Sequence, residues 1–121
     1  MARVLIIDDD ADVQNLLRLT FQDKRGDEVL SAEAVAPGLT QAASQQPALI
    51  WVSLHLTGDV LTLLQDLYRM TTVPIVAYGV CPSHAEEQLM TLKPRVIYLP
   101  PPLPVAELLA VRDQSVTAAQ D

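Results

Sequence analysis

Arg3-Val4-Leu5-Ile6-Ile7-Asp8-Asp9-Asp10 is a continuous aliphatic run that ends abruptly on three carboxylates. A strand exposed on one face alternates apolar with polar residues, whereas one covered on both faces stays apolar throughout, as in a parallel sheet. Similar short runs recur along the chain: 48–52 (Ala-Leu-Ile-Trp-Val), 73–77 (Val-Pro-Ile-Val-Ala), 96–99 (Val-Ile-Tyr-Leu) and a weaker one at 28–32. The segments between them have helical spacing. Val13, Leu16, Leu17 and Thr20 share one helix face, as do Leu61, Leu64, Leu67 and Tyr68. Ser83 and Glu86 form a capping-box pattern ahead of Leu89, Met90 and Leu92. Pro104 is placed to open a last helix carrying Val105, Leu108, Leu109 and Arg112. The second helix, about 38–44, has the weakest pattern.

Five strand–helix units in strict alternation predict an α/β fold, (βα)5, with helices on both faces of a doubly wound parallel sheet. Such sheets carry their functional sites at the carboxyl ends of the strands. Those ends are Asp8-Asp9-Asp10, Ser53-Leu54-His55, Tyr78-Gly79-Val80 and Pro100-Pro101-Pro102. Residues 1–121 read as one domain, with 113–121 a polar tail or last helical turn and no output domain.

Half the residues are hydrophobic, enough for a small core. The net charge is −7, and the eight Lys and Arg residues are scattered. Phosphate-backbone binding needs clustered cations, so no nucleic-acid partner is expected, and an anionic membrane surface would repel the chain. The apolar run before Asp8 is too short for a signal peptide, and no stretch is long enough to span a membrane. One cysteine, Cys81, permits no internal disulfide and fits a reducing cytoplasm.

The order and spacing of four motifs resemble the response-regulator receiver domains of two-component systems, over nearly the whole chain. The motifs are the acidic end of the first strand, 47–54 (Pro-Ala-Leu-Ile-Trp-Val-Ser-Leu), 73–80 (Val-Pro-Ile-Val-Ala-Tyr-Gly-Val) and 96–103 (Val-Ile-Tyr-Leu-Pro-Pro-Pro-Leu). The resemblance implies a flavodoxin-like five-stranded sheet in the order 2-1-3-4-5. It also implies a Mg²⁺-holding acidic pair at Asp8 and Asp9, an aromatic switch at Tyr98, and a cis peptide at Pro101–Pro102. The departures are as specific as the matches. Ser53 stands where the family has its phosphoacceptor aspartate, Gly79 where it has a hydroxyl, and Pro101 where it has a lysine. The loop 56–59 is one residue short and lacks the usual proline.

Phosphoryl transfer needs a positioned nucleophile, a metal to neutralise charge and donors on the equatorial oxygens. A serine hydroxyl needs a base to activate it, and losing the carboxylate at position 53 also removes a charged metal ligand. The expectation is therefore a degenerate receiver, not an enzyme, that acts in the cytoplasm by phosphorylation-independent protein–protein contact. No cofactor is required, and Mg²⁺ binding at Asp8 and Asp9 is residual and weak. The partner is a signalling protein or histidine kinase, or a second copy of the chain. Contact would run through the fourth helix, fifth strand and fifth helix, at Glu86, Glu87, Leu89, Met90, Lys93, Tyr98, Leu108 and Val111. Two alternatives stay open: a phosphorelay acceptor using Ser53 or Asp9, and a small-ligand sensor using the vacated pocket.

Several residues have two readings. The acidic cluster either binds a cation or caps the first helix, and unrelieved like charge would raise one carboxyl of the Asp8–Asp9 pair. His55 either turns to the pair or faces solvent. Tyr98 is either drawn inward, into space left open at Gly79, or is an ordinary half-buried tyrosine. Trp51 is core, Cys81 a small apolar residue, and His84 has no role.

Overall fold

The computed structural model describes residues 2–120. Five parallel strands, β1 (Arg3–Ile7), β2 (Glu28–Ala32), β3 (Leu49–Ser53), β4 (Ile75–Tyr78) and β5 (Val96–Leu99), form one sheet in the order β2-β1-β3-β4-β5. Five helices, α1 (Ala11–Arg25), α2 (Val35–Gln45), α3 (Val60–Met70), α4 (Glu86–Met90) and α5 (Val105–Gln120), connect or follow them. No helix of the described residues is long and apolar enough to cross a membrane.

The apolar runs are continuous because alternate residues enter two separate cores. Leu5, Ile7, Ile50, Val52, Ile75 and Ala77 pack with Leu63, Leu64 and Leu67 of α3. Val4, Ile6, Leu49, Trp51, Val76 and Tyr78 pack with Leu17 and Phe21 of α1 and Leu108 of α5. The registers Ile7↔Val52, Ser53↔Tyr78 and Tyr78↔Leu99 bring the strand ends to one edge. That alignment gathers motifs far apart in sequence.

The boundaries of α1 and the start of α3 have local causes. Asp10 caps α1, its Oδ1 accepting from the N–H groups of Asp12 (2.9 Å) and Val13 (3.3 Å). Gly26 ends α1 at φ 68°, a left-handed conformation that glycine adopts without cost. Asp59 caps α3 through Thr62, whose hydroxyl and N–H hold its carboxyl below the usual range. The weak pattern of α2 is explained by close approach: a Cβ on Gly38 would lie 2.8 Å from Ile7 Cδ1. The buried residues of the helix are the small Gly38 and Ala42, with Val35 and Leu39 partly buried against the same core.

The structure corrects several expectations. The buried stripe of α1 is Gln14, Leu17, Thr20 and Phe21, and Leu16 is 42% exposed, because the covered face is rotated from the predicted one. Ser83 makes no capping bond: Ser83–Ala85 form a 3₁₀ turn and α4 is only five residues long. Pro104 precedes α5, its carbonyl accepting from the Leu108 N–H. Of the two readings of 113–121, the helical one agrees with the structure: α5 runs on through Asp113 to Gln120, and Asp121 lies outside the described residues.

Charge pairing holds α5 against α1 and β2. Arg112 grips Asp27 with two bonds, Nη2–Oδ1 at 2.6 Å and Nε–Oδ2 at 2.9 Å, and Asp27 also accepts from the Ala2 N–H. Asp113 accepts from both Nε and Nη2 of Arg25. The Arg25 bonds, with Arg112 beside them, hold the Asp113 carboxyl down to about 2 from an ordinary 3.8. A carboxyl lowered by folding stabilises above its unfolded value, and that contribution fades as pH falls through the folded value. Resistance to urea should therefore fall as pH drops from 3.8 to about 2, and Asp113→Asn should flatten part of that acid slope. An unchanged slope in the variant would remove Asp113 from the acid response.

Candidate functional site

The carboxyl ends of β1, β3 and β4, with the loops after them and the loop after β5, line an open pocket of about 310 Å³. Its acidic wall is Asp8, Asp9 and Asp10, its floor Ser53 and Tyr78, and its apolar rim includes Val80, Pro101 and Leu103. The predicted positions Asp8, Asp9, Ser53, Gly79 and Pro101 all line it. The sequence reading correctly grouped these residues, but it did not foresee the groups that satisfy them.

The three carboxylates are separated by their partners. Asp8 is 2% exposed; its Oδ2 accepts from the Tyr78 hydroxyl at 2.7 Å and its Oδ1 from the Asp10 N–H at 2.9 Å. Burial and the Asp8 carboxylate push the Tyr78 phenol far above its ordinary value, so it stays protonated and donates. Asp9 turns outward, where its Oδ2 accepts from Thr57 N–H (3.1 Å) and Thr57 Oγ1 (2.9 Å). Those two bonds, led by the Thr57 backbone, hold the Asp9 carboxyl below the usual range, opposite to a like-charge rise. Asp10 serves the helix as its cap. Gln14 fastens the floor from behind: its side-chain amide bonds the carbonyls of Ile6, Asp8 and Ala32, where β1 and β2 end.

Ser53 is 4% exposed and its Oγ accepts from the His55 N–H at 3.1 Å. The space beside Gly79 is not open. A Cβ there would lie 2.9 Å from His55 Cδ2, and His55 Nε2 accepts from the Val80 N–H at 3.3 Å. An imidazole that accepts at Nε2 carries its proton on Nδ1. His55 thus makes no hydrogen bond to the acidic pair; it is exposed to solvent, with the Cδ2–Nε2 edge of its ring beside the glycine. Gly79 itself sits at φ 112°, a conformation that L side chains rarely adopt.

Tyr98 is half-buried, its hydroxyl donating to the Gly79 carbonyl at 2.8 Å and accepting from the Cys81 N–H at 3.2 Å. The Gly79 N–H donates to Leu99. Both ends of this residue are therefore held, one by β5's backbone and one by its aromatic ring. Pro101 is exposed and supplies no amine, and the Pro101–Pro102 bond is cis, as is Lys93–Pro94.

A receiver-type Mg²⁺ does not fit these residues. Magnesium takes oxygen ligands in a strict octahedron and is reluctant to shed water. Both Asp8 oxygens are engaged by internal donors, Asp9 is drawn to Thr57, and Ser53 offers no charge. Among the described residues no three His, Cys, Asp or Glu side chains converge as a metal site.

The contact face needs two corrections. Leu89 (5% exposed) and Leu108 (0%) belong to the cores, because the inward side of each helix carries them. Glu86, Glu87, Met90 and Lys93 are exposed, while Tyr98 and Val111 are partly so.

The architecture is a flavodoxin-like α/β fold of the CheY-like kind, with strand order 2-1-3-4-5. The structure is similar to a CheY-like receiver domain protein from Methanospirillum hungatei, with a TM-score of 0.90 and 17% identity over 99% of this chain and 97% of that one. It is also similar to a two-component response regulator from Clostridium difficile, with a TM-score of 0.84 and 24% identity over 100% of this chain and 99% of that one. In sequence it is 29% identical, over its whole length, to the KDP operon transcriptional regulatory protein KdpE of Escherichia coli. The chain spans 56% of the length of that relative. No family model matches. The solved structures share this chain's fold.

Proposed function

We propose that this chain is an atypical receiver module of two-component signal transduction, working in the cytoplasm by protein–protein contact and not by aspartyl phosphorylation. One observation carries the reading. At the end of β3, where a phosphoacceptor carboxylate would stand, is Ser53, a buried hydroxyl that accepts the His55 N–H and, among the described residues, donates to no side chain. The loss of the Gly79 hydroxyl and the Pro101 amine leaves nothing to clamp a transferred phosphoryl group. The module is not an enzyme and needs no cofactor. Its partner, a signalling protein, a histidine kinase or a second copy, meets the α4–β5–α5 face around Glu86, Glu87, Met90, Lys93 and Val111. The tethers on Gly79 support a domain that presents one conformation instead of switching between two.

Incubation with a small phosphodonor and Mg²⁺, followed by intact mass measurement, tests this directly. The expected spectrum shows the unmodified chain alone. A stable phosphoryl adduct on Ser53 or Asp9 would replace this reading with that of a phosphorelay acceptor. A metabolite that raises the melting temperature only while Ser53 and Tyr78 are intact would favour a ligand sensor.

A further inference from the structure

We infer that the Tyr78 hydroxyl takes, at Asp8, the place that a divalent cation holds in the family this chain resembles. The acidic end of the pocket is then closed to metal by the protein's own side chain. The inference rests on the proposed loss of phosphoryl chemistry and assigns the residue that maintains it.

The geometry carries this in three ways. First, the 2.7 Å bond from Tyr78 engages Asp8 Oδ2, while the Asp10 N–H engages Oδ1. A cation approaching Asp8 must displace a donor that is itself only 2% exposed. Second, the phenol has no easy retreat. Tyr78 is the last residue of β4, paired with Ser53 on one side and Leu99 on the other, and its ring packs 6.0 Å from that of Trp51. Third, the two other groups a metal would recruit are committed, Asp9 to Thr57 and Ser53 to the His55 N–H. A buried carboxylate needs a cation or donors to offset its desolvation. Here neutral hydrogen bonds supply the offset, and they do so without any ion from solution.

Removing the hydroxyl should therefore open the site, which a purely structural role for Tyr78 would not do. The experiment compares the wild-type chain, Ser53→Asp, and Ser53→Asp with Tyr78→Phe, titrating each with Mg²⁺. Binding is read from the fluorescence of Trp51 and from the amide resonances of Asp8, Asp9 and Asp10. Ser53→Asp restores the missing ligand but keeps the hydroxyl, so it should show no saturable response, like the wild type. The double variant should bind saturably over a Mg²⁺ range in which Ser53→Asp shows no response, a gain of roughly tenfold or more, the size expected when a group tuning a metal ligand is changed. Equal binding by both variants overturns the inference, as does a folded double variant that fails to bind. Saturable binding by the wild type also overturns it and needs no variant to fold. Phosphoryl uptake by the wild type would sink the functional proposal, whereas metal binding by Ser53→Asp alone sinks only the assignment of Tyr78.

Discussion

Replacing Arg112 with methionine should cost about 3–5 kcal/mol of folding stability, the loss expected when a buried ion pair is broken from one side. The Asp27 carboxylate is fully buried, with its side chain 0% exposed, and Arg112 supplies two of its three donors. Methionine keeps most of the volume but leaves that charge with only the Ala2 N–H. A domain of this size has about 5–15 kcal/mol in total, so the variant should unfold at far lower urea concentration. Adding Asp27→Asn should recover part of the loss, because the uncompensated charge is then gone. A cost under about 1 kcal/mol would mean that the pair behaves like a solvent-screened surface contact. The exposed pair Arg3–Glu28, at 3.0 Å, is the internal control, and breaking it should cost little.

The second large effect is at Gly79, where Gly79→Thr reinstates the residue type that the resembling family carries. Instead of restoring a switch, it should destabilise the chain. A β-branched residue at φ 112° is a backbone outlier, costing about 1–3 kcal/mol. Its Cβ would also meet His55 Cδ2 at 2.9 Å, forcing the imidazole off Val80. The two contributions separate in a cycle. Gly79→Ala made in a His55→Ala background should recover the contact part only, leaving the backbone cost. Thermal and urea melts measure both. If Gly79→Thr were as stable as wild type, the loop could relax to negative φ, and the picture of a held site would fail.

These expectations show where the sequence was legible. The order of elements could be read because the runs of β1, β3 and β4 are buried on both faces, which leaves a continuous pattern that loops do not imitate, while the edge run of β2 is weaker because it is half exposed. The meeting of Asp8, Ser53, Gly79 and Pro101 in one pocket was legible for a related reason: strand ends in parallel sheets converge. Helix faces were less legible. Leu16 and Leu17 have similar hydropathy, and only the direction of the sheet decides that Leu17 is buried and Leu16 is not. The capping pattern at Ser83 misled for a comparable reason, because the chain there makes a 3₁₀ turn and α4 is only five residues long.

Tyr78, Thr57 and His55 show what one-dimensional reading misses. Tyr78 looked like the end of an apolar strand, and its hydroxyl became meaningful only beside a carboxylate seventy residues away in the chain. Thr57 lay in a loop noted only for being short. One signal was available: a strand-end tyrosine facing an acidic strand end in the predicted order has a donor aimed at an acceptor.

The amino-acid sequence by itself determined that this chain makes a doubly wound parallel sheet with an acidic first strand end and no carboxylate, hydroxyl or lysine where the resembling family has them. Hydrophobic periodicity and residue identity suffice for that, since both are local properties. Only the tertiary structure decided how the remaining charges are satisfied. Asp8 is held by Tyr78, Asp9 by Thr57, and the ring edge of His55 lies beside the glycine. Hydrogen bonds of about 3 Å depend on the packing of several elements at once, and residue spacing along the chain does not encode that distance.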